Sequence, residues 1–179
     1  MKKKIFPLSK VYQLLEPGPV VMVTTERNGK PNIMTMTWHT MLDFEPPTFA
    51  CVISNRNYSF KNISDSKECV INIPSQELAR TVIGVGNCSG AHVDKFKKFH
   101  LTQQPASKVH VPMIAECFAN LECKVIDTQL AHNYNVFILQ VVKAWMAPLK
   151  KRPRTLHHCG RGVFIVDGKL IKIPTKMKK

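Results

Sequence analysis

With 179 residues, 44% apolar and 21% charged, the chain is long enough for one domain with a substantial core and too short for two ordinary ones. A net charge of +14, from 26 basic against 12 acidic residues, excludes a preference for cationic partners and favours nucleic acid, acidic membrane or phosphorylated small molecules. No stretch approaches the roughly 20 apolar residues of a membrane span, and Pro7, Ser9 and Lys10 interrupt any signal-like run, so a cytoplasmic protein without membrane contact is expected.

Much of the basic excess lies in Lys2-Lys3-Lys4, in 150–154 and in 175–179, runs that read as solvated tails and leave nucleic acid a minor expectation. Apolar residues at 8, 11, 14 and 15 predict a short amphipathic helix, the core of an N-terminal helical segment 1–16, stopped at Pro17-Gly18-Pro19. The run 19–25 (PVVMVTT) predicts a strand, and Asn28-Gly29 a tight hairpin into a second strand over Asn32–Trp38. Period-2 patterning puts Asn32, Met34, Met36 and Trp38 on one face of that strand, and Ile33, Thr35 and Thr37 on the other. A turn on Pro46-Pro47 leads to a strand at 48–53 that is apolar on both faces, hence buried.

That strand runs into Ser54-Asn55-Arg56-Asn57-Tyr58-Ser59 and a helix over 59–66. Hydroxyls, amides and a guanidinium at a helix N-terminus suit a phosphate, because unpaired N–H groups and partial positive charge gather there. The same residues equally suit an ordinary N-cap at Asn57 or Ser59. A strand at 69–73 stops at Pro74, and Ser75 starts a helix over 76–83. The stretch 84–99 is a glycine-rich loop entering a short helix. Its order, GxGxxxG after a helix, rejects a dinucleotide fingerprint.

The segment 101–113 is a polar connection with little patterning. A half-buried strand follows at 117–125, then a turn at 129–134 and a long strand over 135–147 that is apolar on both faces and therefore central in its sheet. The end, 163–173, reads as a hairpin around Asp167-Gly168, with a basic tail at 174–179. Many strands and few short helices, with no repeat or linker, predict a single-domain β-barrel with attached helices.

Six cysteines stand without a CxxC pair. Cys51, Cys69, Cys117 and Cys123 sit in apolar surroundings, so no disulfide or zinc site is expected. Cys88 reads either as a reactive thiol or as small filler in a tight loop, and His157-His158-Cys159 resembles a metal cluster only in composition. No triad, paired carboxylates or metal cluster demands a particular reaction.

The ordered set PVVMVTT, NIMTMTWH, FEPPTFACVI, NYSFKNI, CVINIP, GNCSGAHVDKF and ECFANLECKV resembles the flavin reductase-like family, the FMN-binding split barrels that include flavoredoxins. The resemblance runs from about Pro19 to Ile173. It implies a six-stranded antiparallel Greek-key split barrel with a few short helices, a homodimer, and one non-covalent FMN per subunit. The flavin ring is then expected along Asn32, Met34, Thr35, Met36, Thr37 and Trp38, with Cys51 beside it, and the phosphate at Ser54, Asn55, Arg56 and Ser59. Lys95 of D-K-F is expected near the phosphate or ribityl chain, and His132 and Phe164 within reach of the flavin. Asn57 departs from the family pattern, which carries a basic residue there. Arg56, one position earlier, compensates only if it points the right way.

The chemistry agrees with the resemblance. Arg56 and Lys95 supply charge, Ser54 and Ser59 hydrogen bonds, and Met34 and Trp38 a wall for the ring. The implied activity is NAD(P)H-dependent flavin reduction, with electrons passed to a free flavin, an iron complex or a redox partner protein. The alternatives are an FMN electron carrier without nicotinamide turnover and, more distantly, a basic nucleic-acid-binding barrel.

Overall fold

The computed structural model describes residues 3–15, 18–148 and 150–174; Lys2, Glu16 at the end of the predicted first helix, and the basic run 175–179 lie outside them. A two-residue strand β1 (Lys4–Ile5) precedes a 3-10 turn at Leu8–Lys10 and helix α1 (Tyr12–Leu15), so the predicted first helix is split in two. Of its four apolar positions Val11, Leu14 and Leu15 are buried as their spacing requires, while Leu8, in the separate 3-10 turn, is exposed. β2 (Val21–Arg27) and β3 (Lys30–Met36) form the expected hairpin. Asn28 and Gly29 both take positive φ, 52° and 70°, the conformation a two-residue turn needs to match strand twist.

β4 (His39–Phe44), which the sequence reading passed over, precedes β5 (Pro47–Val52). β4 hides little from solvent and so carries almost no hydrophobic pattern. Next come α2 (Tyr58–Ser66), β6 (Glu68–Ile73), a 3-10 turn at Gln76–Leu78 and α3 (Ala79–Gly86). α4 (Lys95–Lys98) and two short strands, β7 (Gln103–Gln104) and β8 (Met113–Ile114), fill the segment with little patterning. β9 (Ala119–Asp127), α5 (Ala131–Tyr134) and β10 (Val136–Met146) follow. The terminal hairpin is β11 (Leu156–Gly160) with β12 (Val163–Val166). Its turn falls at 160–162, where Gly160, Arg161 and Gly162 all have positive φ, and not at Asp167-Gly168 as predicted. Asp167 instead closes the base of the hairpin, its N–H donating to Thr155 O.

The strand pairs are antiparallel, and the main sheet runs β3-β2-β6-β9-β10-β5-β4, with β1 also beside β10. Seven strands on the main path replace the expected six, the difference being β4. β10 is central, as its two-sided apolarity predicted. β3 and β4 are the two open edges, yet β3 ends at Met36 and β4 begins at His39. Three Cα steps reach at most about 11 Å, so the sheet must curl until its edges meet. His39 fastens this seam: its Nε2–H donates to Pro19 O, just ahead of β2, at 2.8 Å. The result is a split barrel whose strands converge on one core that includes Val21, Met36, Phe49, Ile71, Leu121 and Phe137.

Outside the barrel, α3, α4 and β11 cover β2 and β3 through Met22, Ile33, Val82, Phe96 and Leu156. On the far side, Val109, Val111 and Met113 pack with Val70, Val142 and Trp145. Buried Glu122 organises that patch. Its carboxylate accepts from the Ser107 and Lys108 N–H groups, the Ser107 hydroxyl and Trp145 Nε1. The outward apolar face of β10 is thus partly covered by the chain's own 106–113 segment.

Candidate flavin site

The site grows out of the end of β5. Ile53 donates its N–H to Asn135 O and Asn55 its N–H to Asn135 Oδ1, so Asn135, in left-handed conformation, pins the turn that turns into α2. Asn57 occupies the N-cap position, but its side chain makes no cap bond. Ser59 is buried and its Oγ accepts from Asn32 Nδ2 at 2.7 Å. Neither side chain caps the helix; Phe60 N–H donates to Asn57 O, and the Tyr58 and Ser59 N–H groups remain available to an outside acceptor.

These N–H groups face a chamber of about 280 Å³ bounded by β3 (Asn32, Met34, Thr35), by Arg56–Ser59, by Val85–Gly90 and by Lys95. Among the described residues, the Arg56 guanidinium has no hydrogen-bond or ion-pair partner. Lys95 is buried, and its Nζ donates to Ile33 O at 2.7 Å and Val85 O at 2.8 Å, leaving one N–H of the ammonium for the chamber it lines. Burial holds its pKa below the ordinary lysine value, while the neighbouring Cys88 sulfur, when ionised, acts in the opposite sense. Asn32 is buried with Oδ1 lacking any partner among the described residues. A Cβ on Gly90 would lie 1.9 Å from that oxygen, so the 87–90 loop can close on β3 only with glycine there.

A second chamber of about 280 Å³ shares Thr35, Gly86 and Asn87 with the first and adds Thr37, Val82, Ile83, His158, Gly162 and Phe164. The two lie along the free edge of β3. Lys95 holds Ile33 O at this edge, and in an antiparallel ladder the N–H and C=O of Thr35 point the same way. Thr35 Oγ1 donates to Val82 O at 2.6 Å and fixes β3 against α3. The His158 ring leans on Phe164, centroids 5.1 Å apart. One end of the cleft is thus cationic and rich in N–H donors, and the other is largely apolar along a strip of unpaired backbone.

Of the residues the sequence nominated, Asn32, Met34, Thr35, Arg56, Ser59 and Lys95 line the first chamber, and Thr37 and Phe164 the second. Six lie elsewhere. Met36 and Cys51 point inward and belong to the barrel core. Trp38 falls past the end of β3 in the short seam link, is 71% exposed, and lines neither chamber, so it gives the cleft no wall in the single chain. Ser54 Oγ accepts from Arg56 N and Asn55 is tied to Asn135, so both shape the turn without lining the cleft. His132 sits exposed on α5, outside both chambers. Tyr58, Ile83, Asn87, Ser89 and His158 line the cleft without having been nominated. The glycine-rich order of 84–90 was the available signal for the loop; nothing local marked His158, brought in by the terminal hairpin.

The chain is 35% identical over 113 residues, 63% of its length, to a protein of Archaeoglobus fulgidus, and spans 64% of that relative's length. Its fold is similar to that of an FMN-binding domain of a flavin reductases-like enzyme from Shewanella baltica. The TM-score is 0.88 at 28% identity, covering 97% of this chain and 98% of that one. It shares its fold also with flavoredoxin of Desulfovibrio vulgaris, with a TM-score of 0.79 at 24% identity over 89% and 91% of the two chains. The flavin reductase like domain model matches residues 14–166, and with the split barrel and its edge-strand cleft already in place, the chain belongs to that family.

Proposed function

We propose that the cleft binds FMN, with the phosphate at Arg56, the N-terminus of α2 and Lys95, and the ring along the free edge of β3 toward Ile83 and Phe164. The observation that carries this reading is the division of one cleft into a cationic end and an apolar end with exposed backbone donors and acceptors. The residues fit the cofactor: Arg56 is unpartnered, α2 is uncapped, and the buried Asn32 amide has a polar atom left over for a ribityl hydroxyl. When bound, the flavin supplies the hydride and one-electron chemistry. The chain's own part is to bind the phosphate, orient the ring through the Thr35 backbone, and shield it with Ile83 and Phe164.

The activity we assign is NAD(P)H-dependent reduction passed through FMN to a free flavin, an iron complex or a redox partner, in a cytoplasmic homodimer. The exposure of Trp38 and Leu42, beside and on an open edge strand, supports the dimer. Anaerobic stopped-flow mixing with NADH and NADPH tests the activity: rapid loss of flavin absorbance with either is expected. A flavin that dithionite reduces but neither nucleotide bleaches makes the protein an electron carrier instead. For the site, Arg56→Ala should raise the Kd for FMN about tenfold, the low end for a hydrogen bond to a charged group because Arg56 is exposed. Riboflavin affinity should stay unchanged, and a loss under about threefold for FMN removes Arg56 from the clamp.

A further inference from the structure

We propose that a cavity at one end of the barrel, separate from the flavin cleft, binds a small aromatic carboxylate. It holds about 220 Å³ and shares no lining residue with either chamber of the cleft. Its apolar walls are Phe6 and Leu14 of the N-terminal segment, Phe118 just ahead of β9, and Met146 at the end of β10. Lys151 and Arg152, both exposed, stand at its mouth on the connection from β10 to β11. Main-chain bonds fix all three segments: Phe6 N–H donates to Ala144 O at 2.8 Å, Ala147 N–H to Phe118 O at 2.8 Å, and Gln76 N–H to Arg154 O at 2.9 Å. The cavity is therefore formed before any ligand enters.

The walls and the mouth select different ends of one molecule. Leu14 and Phe118 are buried, and Phe6 and Met146 pack against the barrel core, so the interior favours an apolar body. An apolar cavity of about 150 Å³ accommodates benzene, so this one has space for a single ring and its substituent. Two phenyl rings and a thioether also make specific edge contacts with another aromatic ring. An aliphatic chain of equal bulk forgoes those contacts and must freeze its rotatable bonds. Lys151 and Arg152 have no ion pair among the described residues. Two free cations beside an apolar cavity select an anion, and the planar guanidinium matches a carboxylate through two parallel hydrogen bonds.

Titration of the full chain with benzoate, followed through backbone amide chemical shifts, tests this, with benzamide and hexanoate as comparison ligands and Lys151→Ala/Arg152→Ala as the variant. Benzoate should saturate and shift the amides of Leu14, Phe118 and Arg152. Benzamide, which lacks the charge, and hexanoate, which lacks the ring, should each bind at least about fivefold more weakly. The double variant should lose about tenfold in benzoate affinity, the sum of two exposed charge contacts, while its native amide spectrum certifies the fold. No saturable benzoate binding, a loss under about threefold in the variant, or hexanoate binding as tightly as benzoate overturns the assignment. The same titration on protein loaded with FMN should give an unchanged affinity. Benzoate that displaces FMN or alters the flavin absorbance sits in the flavin cleft instead, and that too overturns the separate site.

Discussion

At Gly90, one hydrogen atom separates a closed cleft from a broken one. Gly90→Ala puts a methyl group where Asn32 Oδ1 now sits, and the amide cannot move without giving up its bond to Ser59 Oγ. FMN affinity should fall at least tenfold while the far-ultraviolet circular dichroism keeps its native shape, because the loop is peripheral to the barrel core. Lys95 makes the opposite kind of prediction, one of stability. Lys95→Met keeps the apolar stem but strands the carbonyls of Ile33 and Val85, a loss of about 1–3 kcal/mol in urea unfolding. An unchanged midpoint would mean that solvent reaches both carbonyls. In the sequence only the family resemblance marks Lys95. What buries it is α4 lying on β3, a tertiary contact with no local trace.

At the scale of elements, the seam between β3 and β4 is where pH should act. His39 is held below its ordinary pKa of 6.5 by burial, with its bond to Pro19 O acting in the other direction. Its Nε2–H is the donor, so protonation adds an Nδ1–H where that buried atom has no acceptor among the described residues. The unfolded chain therefore takes up the proton first on acidification. Stability is full above pH 6.5, falls as the pH drops through that value, and levels off below the lower folded pKa. In His39→Gln, whose amide can still donate to Pro19 O, this fraction of the acid sensitivity should vanish from unfolding curves taken between about pH 5 and 8. If the native and variant curves run parallel, the seam does not titrate.

The hairpin at Asn28-Gly29, the buried β5 and the central β10 were all legible, because their turn chemistry and their apolarity are local. β4 was not, since an exposed edge strand buries too little to write a pattern. The terminal hairpin was misplaced because Asp167-Gly168 carries the stronger turn signal, while the chain turns at Gly160–Gly162. Arg56 and Ser59, which line the cationic end of the cleft, were legible, whereas His158 arrives from a distant hairpin that the sequence could not dock.

For the whole molecule, the exposed Trp38 and Leu42 set the expectation for assembly. Sedimentation should give a dimer at micromolar concentration, and Trp38→Glu should shift it to monomer, because a carboxylate in an apolar contact loses its hydration without gaining a partner. A native protein that sediments as a monomer removes the dimer from the proposal. The order of strands carries a further consequence, for how the chain comes to be folded at all. In the main sheet β2–β3 and β4–β5 pair early as hairpins, β9–β10 pair later around α5, and β5 finds its second partner in β10, where Val52 meets Val136. β10 alone joins β3-β2-β6-β9 to β5-β4, so during synthesis the two early hairpins wait, unjoined, until nearly the last strand leaves the ribosome. Refolding should accordingly be slow for a chain of this size, since the decisive pairing closes a long loop before it is rewarded by contacts.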